Sequence, residues 1–133
     1  MNAQISYPPP SGSTCQGPPF SGYGPGETAF VITGEDDTNP GGNVTVLSVS
    51  VPADETYYVS MVKVTCRRQV VYTVNRDSDK IGSGRLGAAQ SNDTMDYEPH
   101  LLVQGGSTLE VVIEALPGKS AQPAEVYITG FKI

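Results

Sequence analysis

The chain offers one histidine, two cysteines and fourteen carboxylates among 133 residues, and any reaction chemistry would have to be assembled largely from these. His100 directly follows Pro99 in a strand-like stretch. A Ser-His-Asp or Cys-His site would have to use it, since imidazole takes up the nucleophile's proton near neutral pH. Nothing nearby resembles a sharp nucleophile turn, so His100 reads as structural. A zinc site needs three or four His and Cys ligands, and His100, Cys15 and Cys66 are the whole supply. No zinc site is expected.

Calcium would be served by clustered oxygens. Glu35-Asp36-Asp37-Thr38-Asn39 and Asp77-Ser78-Asp79 both cluster them. Neither has EF-hand spacing with a closing Glu, so both read as solvated loops. A glycosidase needs two carboxylates about 5 to 9.5 Å apart in a cleft, which sequence spacing does not test. No Gly-rich phosphate loop leads into a helix, and Gly22, Gly24 and Gly26 read as spacers. Sugar stacking favours Trp, which is absent; Tyr57, Tyr58, Tyr72, Tyr97 and Tyr127 remain, and strand tyrosines more often pack a core with the hydroxyl at its rim. The expectation is a protein that is not an enzyme, with no catalytic residue, metal or cofactor.

The elements that would position these residues are strands. Gly and Pro together make 26 of 133 residues, Val, Thr and Ile recur, and no stretch has helical periodicity. Ala29 to Thr33 reads as a short apolar strand closed by a long turn-rich loop, GEDDTNPGGN. NVTVLSVSV (43–51) alternates but slips phase between Val46 and Leu47, and TYYVSMVKVTC (56–66) slips between Met61 and Val62. Such slips mark bulges or corners where a strand leaves one sheet for its partner. Cys66-Arg67-Arg68 reads as a bend despite lacking turn residues, Arg76 to Lys80 as a polar turn, and Ile81 to Asp93 mostly as loop, with at most a short strand around Leu86. Thr94 to Gln104 is a strand broken by Pro99, which points to an edge or a kink. Leu109, Val111, Ile113 and Ala115 alternate cleanly inward, and a glycine interrupts the phase of the last strand, Ala124 to Ile133.

These patterns predict an all-β fold: an antiparallel β-sandwich of seven or eight strands, jelly-roll-like because of the slips, over residues 29–133. Residues 1–28 hold six of the eleven prolines and no Lys or Arg. They lack the apolar density to fold alone and read as an extended arm biased toward polyproline II. Ile5, Tyr7, Pro8, Pro9, Pro10, Phe20 and Tyr23 are its candidate anchors for a partner. Cys15 and Cys66 could pair or stay free.

The net charge of −6 belongs entirely to residues 1–62, which carry six acids and no base; residues 63–133 carry eight of each. An acidic chain lacks the footprint for nucleic acid. It reads as an acidic solvated surface or as a negative patch meeting a basic partner. No segment approaches the ~20 apolar residues of a membrane span, and no secretory signal is expected after Met1.

A sandwich carrying an extended arm resembles, in layout, the small jelly-roll virion structural proteins of tailed bacteriophages, particularly capsid decoration (cement) proteins. The stretches that prompt it are VLSVSVPADETYYVSMVKV and LLVQGGSTLEVVIEA, each a strand, a marked turn and a second strand. The resemblance implies a homotrimer that is made in the host cytoplasm, sits on the capsid surface and binds the major capsid protein or other virion subunits through its arms. The rival reading is a receptor- or glycan-binding module of a phage head or tail fibre.

Overall fold

The runs of Val, Ile and Leu at alternate positions resolve into eight strands in the computed structural model, which describes residues 26–87, 89–118 and 120–133. They are β1 (Thr28–Asp37), β2 (Asn43–Ser50), β3 (Tyr57–Cys66), β4 (Val70–Arg76), β5 (Asp79–Leu86), β6 (Asn92–Val103), β7 (Thr108–Ala115) and β8 (Pro123–Lys132). Two four-stranded antiparallel sheets result, ordered β1-β8-β3-β6 and β2-β7-β4-β5. Pairing runs 4 with 5, 3 with 6, 2 with 7 and 1 with 8. The chain is therefore one long antiparallel ribbon, folded at the β4–β5 hairpin and wrapped into two sheets, which is the jelly roll. Ile5, Tyr7, Pro8, Pro9, Pro10, Cys15, Phe20 and Tyr23 lie outside the described residues.

Both phase slips are bulges. The β2–β7 register jumps between Thr45 and Leu47, and the extra residue lets Val46 and Leu47 both be buried. In β3 the register jumps between Val59 and Met61 against both neighbours, so Val59 and Val62 are each buried while Met61 turns to the outer face. Gly130 of β8 lies opposite this bulge. A Cβ there would collide with the Tyr58 carbonyl oxygen and lie 3.0 Å from Val59 Cα. The glycine read as interrupting β8 instead lets the bulged backbone approach.

Three expectations need correction. The strand placed at Ala29 to Thr33 continues through GEDD to Asp37, with half-buried and exposed residues alternating, because β1 is a sheet edge facing the core on one side only. The stretch read as loop, Ile81 to Asp93, is mostly β5 and the start of β6. Its glycines face bulk from elsewhere: a Cβ on Gly84 would meet the Tyr72 ring and hydroxyl at 2.6 Å, and one on Gly82 would meet Met95 Sδ at 2.8 Å. The turn read across Arg76 to Lys80 tightens to Asp77-Ser78, both at positive φ (53° and 78°), as a two-residue hairpin requires. The Arg67-Arg68 bend holds: it carries the chain from β3 in one sheet to β4 in the other.

The core lies between the sheets, built from Val59, Val62 and Val64 of β3, Tyr72 and Val74 of β4, Val111 and Ile113 of β7, and Val126 and Ile128 of β8. At one end of the sandwich lie the loops 38–42, 67–69, 87–91 and 116–122; at the other lie 51–56, 77–78 and 104–107. Thr38, 3% exposed, ties two loops of the first end together: its N–H donates to the Gln122 carbonyl at 2.9 Å and its hydroxyl accepts from Gln122 N–H at 3.0 Å.

Candidate functional site

The residues with chemical potential are placed apart, and most are committed to structure. His100 stands on edge strand β6, one residue past the cis Glu98–Pro99 peptide, with its ring edge-on to Phe131 at 5.2 Å. Asp77 Oδ1 accepts the Thr108 N–H at 2.9 Å, while Asp77 N–H donates to the Thr108 carbonyl, so the β4–β5 turn is pinned to the start of β7. The Thr108 N–H, and after it the Ser107 hydroxyl, hold the Asp77 carboxyl below the usual carboxylate range. Asp36 Oδ1 accepts the N–H of Asp37, a local contact. Cys66 is a buried free thiol of the core. Among the described residues no three His, Cys, Asp or Glu gather in a metal-holding group.

The tyrosines divide by face. Tyr72 is fully buried, and its hydroxyl crosses from one sheet to the other to donate to Asp93 Oδ2 at 2.6 Å. Burial and then this bond push its phenol well above the ordinary range. Tyr57 is half-buried against Phe30 with ring centroids 4.9 Å apart, and Tyr97 is half-buried beside Met95, burial raising its pKa too. The core reading holds for these three. Tyr58 and Tyr127 instead face outward. Tyr58 stacks on Phe131 (4.9 Å between centroids, 13° between planes) in a cross-strand row completed by Leu102, 38% exposed. With His100 on Phe131, this row makes an aromatic cluster on the outer face of the β1-β8-β3-β6 sheet.

A groove of about 750 Å³ opens at the end of the sandwich that carries the four loops 38–42, 67–69, 87–91 and 116–122. Gly41, Arg67 to Val71, Arg85 to Gly87, Ala89, Gln90 and Glu114 to Pro117 line it. Three of the chain's eight Lys and Arg side chains, Arg67, Arg68 and Arg85, therefore meet at one opening, against a single acid, Glu114. The sheet register explains why that acid does not neutralise Arg85. Glu114 pairs with Val71, and Val71 with Arg85, so the two charges stand two strands apart, about 10 Å at the usual strand spacing. Arg68 donates from Nη2 to Ser120 Oγ, while its buried Nε has no hydrogen-bond acceptor. Among the described residues the one ion pair is Lys132 with Glu55 at 3.7 Å, on other elements. The volume lies within the 300 to 1,000 Å³ typical of recognition pockets. What converges is guanidinium, suited to bidentate contact with carboxylates. The groove was missed in the sequence because its walls come from four separate loops; the signal was the bend at Arg67-Arg68, where charge stands in place of turn residues.

In class, the described residues form an eight-stranded antiparallel jelly roll with an arginine-lined groove at one end. No protein-family model matches the sequence, and no curated protein does. Among solved structures it is similar to two of infectious bursal disease virus. The Gx strain structure is 12% identical with a TM-score of 0.40, over 80% of this chain and 32% of that one. The Gt strain structure is 12% identical with a TM-score of 0.35, over 86% and 36%. This chain thus spans about a third of the length of those chains.

Proposed function

We propose that this chain is a non-enzymatic structural protein of a virion, a capsid decoration or cement protein of the tailed-bacteriophage kind. In this reading it attaches to the major capsid protein on the capsid surface as a homotrimer, after synthesis in the host cytoplasm. Its N-terminal arm, anchored through Ile5, Tyr7, Pro8, Pro9, Pro10, Phe20 and Tyr23, lies along neighbouring subunits. The observation that carries this reading is the division of labour among side chains. Those that could do chemistry are spent on holding the jelly roll: Asp93 on Tyr72, Asp77 on Thr108, Cys66 in the core. Contact chemistry, aromatic on one face and guanidinium at one end, is left outside. The strand that follows the arm in sequence, β1, is a sheet edge among the described residues, with Val31 58% exposed, and a sheet edge offers backbone groups for pairing with a neighbour. Three arms on one trimer would multiply weak contacts through effective concentration.

The test is co-sedimentation with capsids stripped of the protein. The full chain is expected to pellet with them, and a chain beginning at Gly26 to bind at least about tenfold more weakly while staying folded. Equal binding by both would remove the arm's role, and no binding by either would remove the decoration reading. The outward stack of Tyr58 on Phe131 favours one rival, a receptor- or glycan-binding module of a head or tail fibre. A glycan-array signal that survives loss of the arm and disappears in Tyr58→Ala would put that rival first.

A further inference from the structure

The arginine groove has a complement elsewhere on the same chain. Glu35, Asp36 and Asp37 are consecutive and exposed at the end of β1, and none is in an ion pair among the described residues. The strand stacking sets the two features at the same end of the sandwich but on different sheets. β1 lies against β2, because Gly34 abuts Val46 and Leu47; β5 lies against β6, because Gly82 and Gly84 abut Met95 and Asp93. The acids are thus on the β1–β2 flank, while the groove covers the ends of β7, β4 and β5. Asp37 stands only four residues before Gly41 at the groove's rim. Gly34 faces inward, however, so Glu35 and Asp37 face out from the β1-β8-β3-β6 sheet. Gly84 and Leu86 face inward and Arg85 faces out from the other sheet, so the acids of one copy point away from its own Arg85.

We infer that the groove is the docking site for the Glu35-Asp36-Asp37 run of a second copy of this chain, joining copies flank to flank. This deepens the homotrimer of the proposed function and rests on it. The contact is heterologous, one surface of each copy meeting a different surface of the next, and a heterologous contact closes into a ring when its rotation allows. The local geometry fits. In an extended strand Glu35 and Asp37 point the same way, about 7 Å apart, while Asp36 points the other way, its carboxylate already accepting the Asp37 N–H. Two carboxylates then enter a groove holding three guanidiniums and one acid. The buried, unpartnered Arg68 Nε gains a candidate acceptor, and so do Arg67 and Arg85, which have no ion-pair partner among the described residues. The same pairing accounts for the uneven charge along the chain: the first half is wholly acidic, and the groove arginines all come from the second half.

Sedimentation equilibrium of the full chain tests this with two charge reversals at exposed positions, R67E with R85E and E35K with D37K, and with all four combined; circular dichroism checks that each variant is folded. The wild-type chain is expected to associate, more weakly as salt rises from 0.05 to 0.5 M because the Debye length shrinks. Each reversal alone should weaken association at least about tenfold, and the fourfold swap should restore a measurable part of it, since positions 67 and 85 then face opposite charges again while Arg68 alone stays unmatched. Association untouched by either reversal, or a fourfold swap that restores nothing, overturns this contact while leaving the trimer standing. A wild-type chain that is monomeric at every concentration overturns both. Binding of a sulfated oligosaccharide lost in R67E/R85E, with association unchanged, would reassign the groove to a small anionic ligand.

Discussion

Tyr72 shows what a single polar group must satisfy to sit in this core. Its ring is fully buried among valines, and its hydroxyl is acceptable there only because Asp93 receives the proton it offers. The bond also ties the two sheets together. Tyr72→Phe keeps the ring but leaves Asp93 Oδ2 without its donor, Oδ1 keeping the Thr94 N–H, and the expected loss is about 2 kcal/mol of stability by urea unfolding. The pH dependence follows from the direction of the shift. Folding raises the Tyr72 pKa above its ordinary value of 10.0, so the folded state holds this proton more tightly than the unfolded chain does. The associated stability is complete below pH 10 and falls as pH climbs above it. A melting curve measured from pH 8 to 12 should decline above pH 10, and the decline should be shallower in Tyr72→Phe, with Tyr97, raised in the same direction, supplying part of what remains.

Among the strands, glycine separates β8 from β5. Gly130 faces rigid backbone across the β3 bulge, so a methyl group there forces the bulge itself to move. Gly130→Ala is expected to cost about 3 kcal/mol or more. Gly82 faces the flexible end of Met95, which can swing aside, and alanine also relieves some of glycine's chain entropy. Gly82→Ala should therefore stay within about 1 kcal/mol of the parent protein. Paired denaturation curves check both, and equal costs would show that the bulge is softer than its contacts imply. The same glycines explain why β5 does not look like a strand in the sequence: Ile81-Gly82-Ser83-Gly84 has small residues where Tyr72 and Met95 fill the space from neighbouring strands.

Across the whole molecule, the ribbon topology sets how the chain must fold. β4 and β5 pair across a two-residue turn, but β1 pairs with β8 only after nearly the whole domain has been threaded. Closing such long loops before their contacts form is slow. Stopped-flow refolding is expected in the millisecond-to-second range typical of all-β sandwiches; a microsecond phase with full amplitude would contradict that order of events. The same winding brings four loops that are far apart in sequence to one end of the sandwich, which is how two bend arginines and Arg85 come to share a groove.

Alternation, turn residues and the absence of helical spacing were sufficient to determine an all-β sandwich, irregularities in β2 and β3 and the inward faces of β4 and β7, because side-chain period in a strand is a local property. The β2 bulge was visible as the phase slip at Val46-Leu47, and the β3 bulge as a slip at Met61-Val62, just past the shift that the structure has between Val59 and Met61. Tertiary structure alone decided the rest. Whether Gly84 belongs to a loop or to a strand depends on the Tyr72 ring that fills its place from β4. Which tyrosines are core and which face outward depends on which sheet face each strand presents. The arginine groove exists because strands distant in the chain end side by side, and no local pattern along the sequence encodes that meeting.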